Sequence, residues 1–172
     1  MDKLYTERAI KTISGIYVDV FDPKPEMFVI EDIAHALSMI PRWGGHYPFF
    51  YSVARHSRMV CYRTKGNQLE ALMHDASEAY LMDLPRPIKQ NMPEYKAIEE
   101  GVMKVIADKF GFGFPFSEET KRADKAELEA EWMSREELDG ISKGFNTESD
   151  FAHQKILFLE VFNWANNLKE RK

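Results

Sequence analysis

The stretch Leu72-Met73-His74-Asp75-Ala76-Ser77-Glu78 gathers an imidazole and two carboxylates within five positions. On a helix His74 and Asp75 project about 100° apart, yet both reach one ion lying against the helix side. Glu78 follows His74 by four positions and Asp75 by three, one turn further along the same face. A solvated acidic face would carry the same letters, so the neighbours matter. His56 lies in Ser52-Val53-Ala54-Arg55-His56-Ser57, and Asp124 in Lys121-Arg122-Ala123-Asp124-Lys125-Ala126. An antiparallel helical bundle can bring His56, His74, Asp75 and Asp124 to one point, as helical metal proteins do. Two imidazoles and two carboxylates suit a divalent ion such as Mn, Fe, Co, Ni or Zn, with Mg as a harder alternative. Four protein ligands in an octahedral field leave room for water or substrate oxygens.

The elements that must hold these groups are mostly helical. After Glu31 the apolar positions Ile33, Leu37 and Ile40 follow helical spacing, and Pro41 stops it. Further helices are expected at about 49–63, 67–82, 93–110, 117–139 and 148–169. Asn67 and Ser117 stand where caps are needed, and Gly111-Phe112-Gly113-Phe114-Pro115 separates the third of these from the fourth. Arg42-Trp43-Gly44-Gly45-His46-Tyr47-Pro48 reads as a loop. Before the helices, Ile16–Val20 and Met27–Ile30 flank Asp22-Pro23-Lys24-Pro25 and read as a hairpin. Two strands alone are marginal, so this hairpin must lean on the helical body. The expected fold is therefore a mostly α bundle in one domain over 1–172, with a β-hairpin appendage in 1–30 and a helical body in 31–172.

Composition narrows the classes. The 172 residues are 44% hydrophobic and 30% charged, as in an ordinary globular chain. Lys plus Arg is 23 and Asp plus Glu 28, a net charge of −5, which disfavours binding to polymeric nucleic acid. Cys61 is the only cysteine, so no intramolecular disulfide can form and a cytoplasmic setting is expected. No apolar run approaches the ~18 residues of a membrane helix, and the N-terminus lacks the apolar region of a signal peptide.

The order H…HD…D resembles the HD-domain metal-dependent phosphohydrolases. HDASE, followed by DLPRPIK and EYKAIE, resembles more narrowly the bacterial HD-domain 5′-deoxynucleotidases and the related phage deoxynucleoside triphosphohydrolases. The similarity runs from about Arg42 to Asp124, and the RWGGH loop and N-terminal hairpin are similar to a subgroup found in phages and prophages. The resemblance implies an HD-type bundle with His56, His74, Asp75 and Asp124 as metal ligands. It implies that Glu78 assists the attacking water or protonates the leaving oxygen. It places Arg42 on phosphate, Trp43 against the deoxyribose, Asp83 near the sugar and Lys89 on phosphate. Lys121, one turn before Asp124, can face the same pocket. Ala79 departs from the HDxxED of guanosine tetraphosphate hydrolases, and no GYP tripeptide marks a cyclic-di-GMP phosphodiesterase.

The implied reaction is attack by a metal-activated water on a phosphorus of a 2′-deoxynucleotide. A monophosphate substrate is favoured, with triphosphate release from a dNTP such as dATP as the alternative. A non-catalytic nucleotide-sensing module and a phosphodiesterase are the rivals. The expected partner is a small-molecule deoxynucleotide, and a homo-oligomer is expected. Of the remaining residues, Trp132 and Trp164 read as core. Met59, Met73, Met82 and Met103 read as core fillers, and Cys61 as a small buried apolar residue. His35 and His153 read as packing or solvated positions. His46 is the loop histidine nearest Arg42, and Arg86 and Arg122 are further candidates for phosphate or the surface.

Overall fold

A computed structural model describes residues 6–138 and 147–169. It is mostly helical, with one two-stranded antiparallel hairpin near the N-terminus. The hairpin pairs β1 (Ala9–Lys11) with β2 (Tyr17–Asp19), Ile10 opposite Val18. This corrects the expected pairing of 16–20 with 27–30. The turn is supplied by Thr12 to Gly15, where Gly15 adopts φ 88°, open to glycine at no steric cost. The prolines do something else: Pro25–Met27 is a 3-10 turn that leads into the first helix. Val18 is fully buried, and the hairpin tip is pinned to the body at Ser14. Its backbone N–H and hydroxyl donate to the two Asp32 carboxylate oxygens, at 3.1 and 2.6 Å.

The helical body comprises α1 (Ile30–Met39), α2 (Val53–Tyr62), α3 (Gln68–Met73), α4 (Glu78–Leu81), α5 (Arg86–Lys89), α6 (Pro93–Phe110), α7 (Glu118–Leu138) and α8 (Thr147–Lys169). Asp139, the expected last residue of the seventh helix, and the first five residues of the appendage lie outside the described residues. Phe28, Ile33, Leu37, Val53, Leu72, Ile106 and Phe158 are fully buried and form the core that α1, α2, α3 and α8 share. α7 packs on α2 and α3, which brings the three ligand-bearing segments together.

Several boundaries differ from the sequence reading for local reasons. α2 starts only at Val53, where the Ser52 hydroxyl accepts from Arg55 N–H at 3.2 Å, a side-chain cap. The continuous helix expected over 67–82 is broken at His74–Ser77. There the His74 ring Nδ1 takes the Ala71 carbonyl at 2.8 Å, and the backbone tightens to i−3 bonds such as Glu78 N–H to Asp75 O at 2.9 Å. Asn67 makes no cap; its amide donates to Glu119 at 2.8 Å and ties α3 to α7. Ser117 does cap α7, and it also donates to Glu70 at 2.6 Å, as does Thr120. α6 ends on Gly111 in the left-handed region at φ 70°. Trp132 and Trp164 are not core residues, being 47% and 46% exposed, and Met82 is also exposed. Cys61 and Met73 are buried as expected. No helix of the described residues is long and apolar enough to cross a membrane.

Candidate metal centre

His56 stands one turn into α2 and is fully buried. His74 and Asp75 occupy the break between α3 and α4, and Asp124 comes from the second turn of α7. One ligand atom from each of His56, His74 and Asp75 lies within 4.8 Å of the others, so the group could hold a metal ion. Asp124 sits against both rings, its Oδ1 3.2 Å from His56 Nε2 and 3.7 Å from His74 Nε2. The Asp124 side chain is 45% exposed, so solvent reaches the cluster from that side.

The ring orientations follow from the far nitrogens. A carbonyl oxygen only accepts, so His74 Nδ1 carries a proton towards Ala71 O and the ring turns its Nε2 to the cluster. His56 Nδ1 is 2.7 Å from Glu131 Oε1, which orients that ring in the same sense. His74 Nε2 and Asp75 Oδ2 are both buried and make no hydrogen bond, although they lie 3.2 Å apart. Two buried atoms with electron pairs and no donor between them are costly on their own and suit a cation. The donor set of imidazole nitrogens and carboxylate oxygens therefore fits a divalent ion.

The charges of the metal-free cluster follow its hydrogen bonds and burial, and an ion would have to displace the proton that His56 shares with Asp124. Burial and the nearby Arg42 lower the His56 pKa, but the Asp124 and Glu131 hydrogen bonds outweigh them and push it up to about 9. Burial works against the ionised form of Asp124, yet the hydrogen bond with His56 and the closeness of both imidazoles hold its pKa below the usual carboxylate range. Glu78 behaves oppositely. Burial, then Asp75 and Asp83, raise its carboxyl well above the ordinary value, against the opposing pull of Lys89 and Arg42.

The remaining expected site residues divide. Arg42 is here: its guanidinium lies 3.1 Å from Glu131 and 3.9 Å from Asp75, with Nε buried and unpaired. Trp43 follows it, its indole N–H donating to Glu131 at 3.1 Å and its ring 5.5 Å from Trp132. Glu78 Oε1 faces Lys89 at 3.7 Å, and Lys89 is held more closely by Glu99 at 2.6 Å. Asp83 lies within electrostatic reach of Arg42, Asp75 and Lys89, with burial the main influence raising its pKa. Lys121 is not brought to the cluster. It is 54% exposed and paired with Glu118 at 2.7 Å, because a long solvated side chain finds its partner one turn back on its own helix. His46, Arg86 and Arg122 are exposed.

No protein-family model matches the chain. The uncharacterized protein YfdR of Escherichia coli K12 is 42% identical over 174 residues, covering 94% of this chain and 97% of YfdR. An uncharacterized protein of Rhodobacter capsulatus is 32% identical over 145 residues, covering 77% of this chain and 74% of its own length. The chain belongs to the YfdR family. Similarity to YfdR spans nearly the whole chain.

One residue of this YfdR-family chain at the cluster escapes the sequence reading. Glu131 is 2% exposed and meets His56, Arg42 and Trp43. Its signal lay in the spacing: Asp124, Glu127 and Glu131 fall at i, i+3 and i+7, one face of α7, and the last two of these acids are buried. Glu127 is the structural member, accepting from Arg63 at 2.7 Å and Tyr51 at 3.3 Å.

Proposed function

We propose that this protein is a divalent-metal-dependent phosphohydrolase of the HD type that releases phosphate from 2′-deoxynucleoside monophosphates. The observation that carries the reading is the meeting of His56, His74 and Asp75, two of their inward atoms left without hydrogen bonds, with Asp124 against both imidazoles. The order H…HD…D and the HDASE, DLPRPIK and EYKAIE segments supply the family expectation. His56, His74, Asp75 and Asp124 would hold the ion. Such an ion supplies an acidified water and neutralises charge on the phosphoryl oxygens.

The chain's own groups take up the rest. Arg42, partly buried at the cluster edge and held by Glu131, presents a guanidinium to a phosphoryl group in a planar fork. In the reaction a bond forms from the water oxygen to phosphorus, the bond to the sugar oxygen breaks, and that oxygen must gain a proton. Burial favours the protonated form of Glu78, which suits it to donate that proton. Trp43 offers an apolar face that cannot satisfy a 2′-hydroxyl, at a cost of ~1–3 kcal/mol to a ribonucleotide.

The supply of cations favours a monophosphate over a triphosphate. Lys121 is on the surface with Glu118, and Lys89 is shared between Glu99 and Glu78. Arg42 is left as the candidate phosphate-facing charge, which suits one phosphoryl group better than three. The test is an assay for free phosphate and, by anion-exchange chromatography, for inorganic triphosphate, on chelator-stripped protein resupplied with Mn, Co, Ni, Zn or Mg, against all dNMPs, NMPs and dNTPs. Phosphate from dNMPs with an added metal is expected. No product from any nucleotide with any metal would leave the sensing module as the better reading, and triphosphate as product would move the substrate to dNTPs.

A further inference from the structure

Glu131 uses both of its oxygens, and it uses them on two different parts of the site. Oε1 accepts from His56 Nδ1 at 2.7 Å; Oε2 accepts from Arg42 and from the Trp43 indole, each at 3.1 Å. The loop it grips is conformationally demanding. Trp43 sits at φ 60°, uncommon for a bulky residue, and Gly44 follows at φ 59°. Such a backbone persists only when its surroundings over-determine it. Arg42 N–H is held by Tyr51 O at 2.8 Å, and the side chains of the loop are gripped by one short stretch of α7. Besides the Glu131 carboxylate, the Trp132 ring lies 5.5 Å from Trp43, and the Tyr47 hydroxyl bonds to Glu131 O at 3.1 Å and Ser134 Oγ at 2.9 Å.

We propose that Glu131 is a positioning residue that ties the His56 imidazole to the Arg42–Trp43 loop, so that one carboxylate sets both the hold on the ion and the placement of the phosphate-binding arginine. The inference rests on the metal-centre reading above and extends it to a residue that touches neither ion nor substrate. A carboxylate is needed because it accepts on both sides. A glutamine has one accepting oxygen and one donating nitrogen. Whichever way its amide is turned, either His56 Nδ1–H or the Arg42 and Trp43 donors face another donor. Partners of this kind fix the tautomer of a ligating histidine, and their loss typically weakens metal binding by about 10–100-fold.

The experiment is calorimetric titration of MnCl2 into chelator-stripped full-length protein, wild type beside Glu131→Gln, with circular dichroism on each. The Gln variant should bind Mn about 10–100-fold more weakly. At saturating Mn it should show a raised KM for dNMP with a smaller change in kcat, because the arginine is displaced while the ion is restored. A purely structural role would not produce that split. Wild type that binds Mn while the folded variant binds it within twofold and keeps its KM overturns this inference and leaves the metal centre standing. Wild type that binds none overturns the metal centre, and this inference with it. Should the variant not fold, the Zn-loaded wild type labelled with 15N-histidine decides. A protonated His56 Nδ1 supports the tie, and an unprotonated one overturns it.

Discussion

Adding a divalent ion to the stripped protein should raise its melting temperature, and the size of the rise can be worked from the site. His74 Nε2 and Asp75 Oδ2 are buried without donors, and the cluster's groups come from α2, the α3–α4 break and α7. That arrangement exists only in the folded chain, where residues 56, 74, 75 and 124 converge, so the ion binds the native state and not the unfolded one. At a free concentration one hundred times Kd, such binding stabilises by about 2.7 kcal/mol. For a chain of 172 residues, with about 2–4 °C per kcal/mol, the rise is roughly 5–11 °C. The assay is a thermal melt followed by circular dichroism over a MnCl2 series, with Asp75→Ala beside the wild type. Asp75→Ala should lose the rise, because it deletes a ligand and the charge that balances the ion. An equal rise in both proteins would show that the ion binds elsewhere. No rise in the wild type at millimolar Mn would refute the argument from the unpaired atoms.

Glu78→Gln should keep the metal-induced rise while turnover falls by roughly 10²–10⁴-fold; undiminished turnover removes Glu78 from the proton transfer. The same variant carries a pH signature in the metal-free protein. The folded carboxyl is raised by burial, then by Asp75 and Asp83, so its ionised form costs native stability above the folded pKa and nothing below the unfolded one. Glu78→Gln should therefore melt higher than wild type at pH 8, with the gain shrinking as pH falls towards 5, and a pH-independent difference would contradict the assignment. Trp43→Ala should shrink the ratio of kcat/KM for deoxyribo- over ribonucleotides; an unchanged ratio with a large fall in melting temperature would make Trp43 a packing residue for Trp132 and Glu131. Ser117→Ala removes the α7 cap and a bond to Glu70, so stability should fall by about 0.5–2 kcal/mol in a denaturant melt, and a neutral result would show that Thr120 suffices.

Long-period features of this fold were legible in the sequence and short-range competitions were not. α6, α7 and α8 run close to their expected spans because apolar spacing, Ser117 and Gly111 mark them without rivals. The break at His74 was hidden because it depends on a side chain taking the Ala71 carbonyl, which letters do not announce. The hairpin was expected, but its pairing was misjudged, since Pro23 and Pro25 were a louder turn signal than Thr12 to Gly15. At the site, His56, His74, Asp75 and Asp124 were readable from their order. Glu131 was not singled out, because a glutamate in a charged helix reads as solvated until three donors are placed around it. Lys121 failed in the opposite way: it stands one turn from Asp124 in sequence, yet Glu118 holds it at the surface.

α7 also works as a ruler with a fixed zero. Ser117 and Thr120 lock its first turn to Glu70, and Asp124, Glu127 and Glu131 are then read off one face at set distances. Each residue turns a helix by about 100° and advances it about 1.5 Å. Deleting a single residue between Thr120 and Asp124 would swing all three acids off the cluster together, although every one of them remained in the gene. Inserting four would nearly restore the angle but carry the acids about 6 Å past their partners. Length changes in this stretch should therefore be far rarer among relatives than substitutions on its exposed positions, such as Lys125, Glu129 and Ala130.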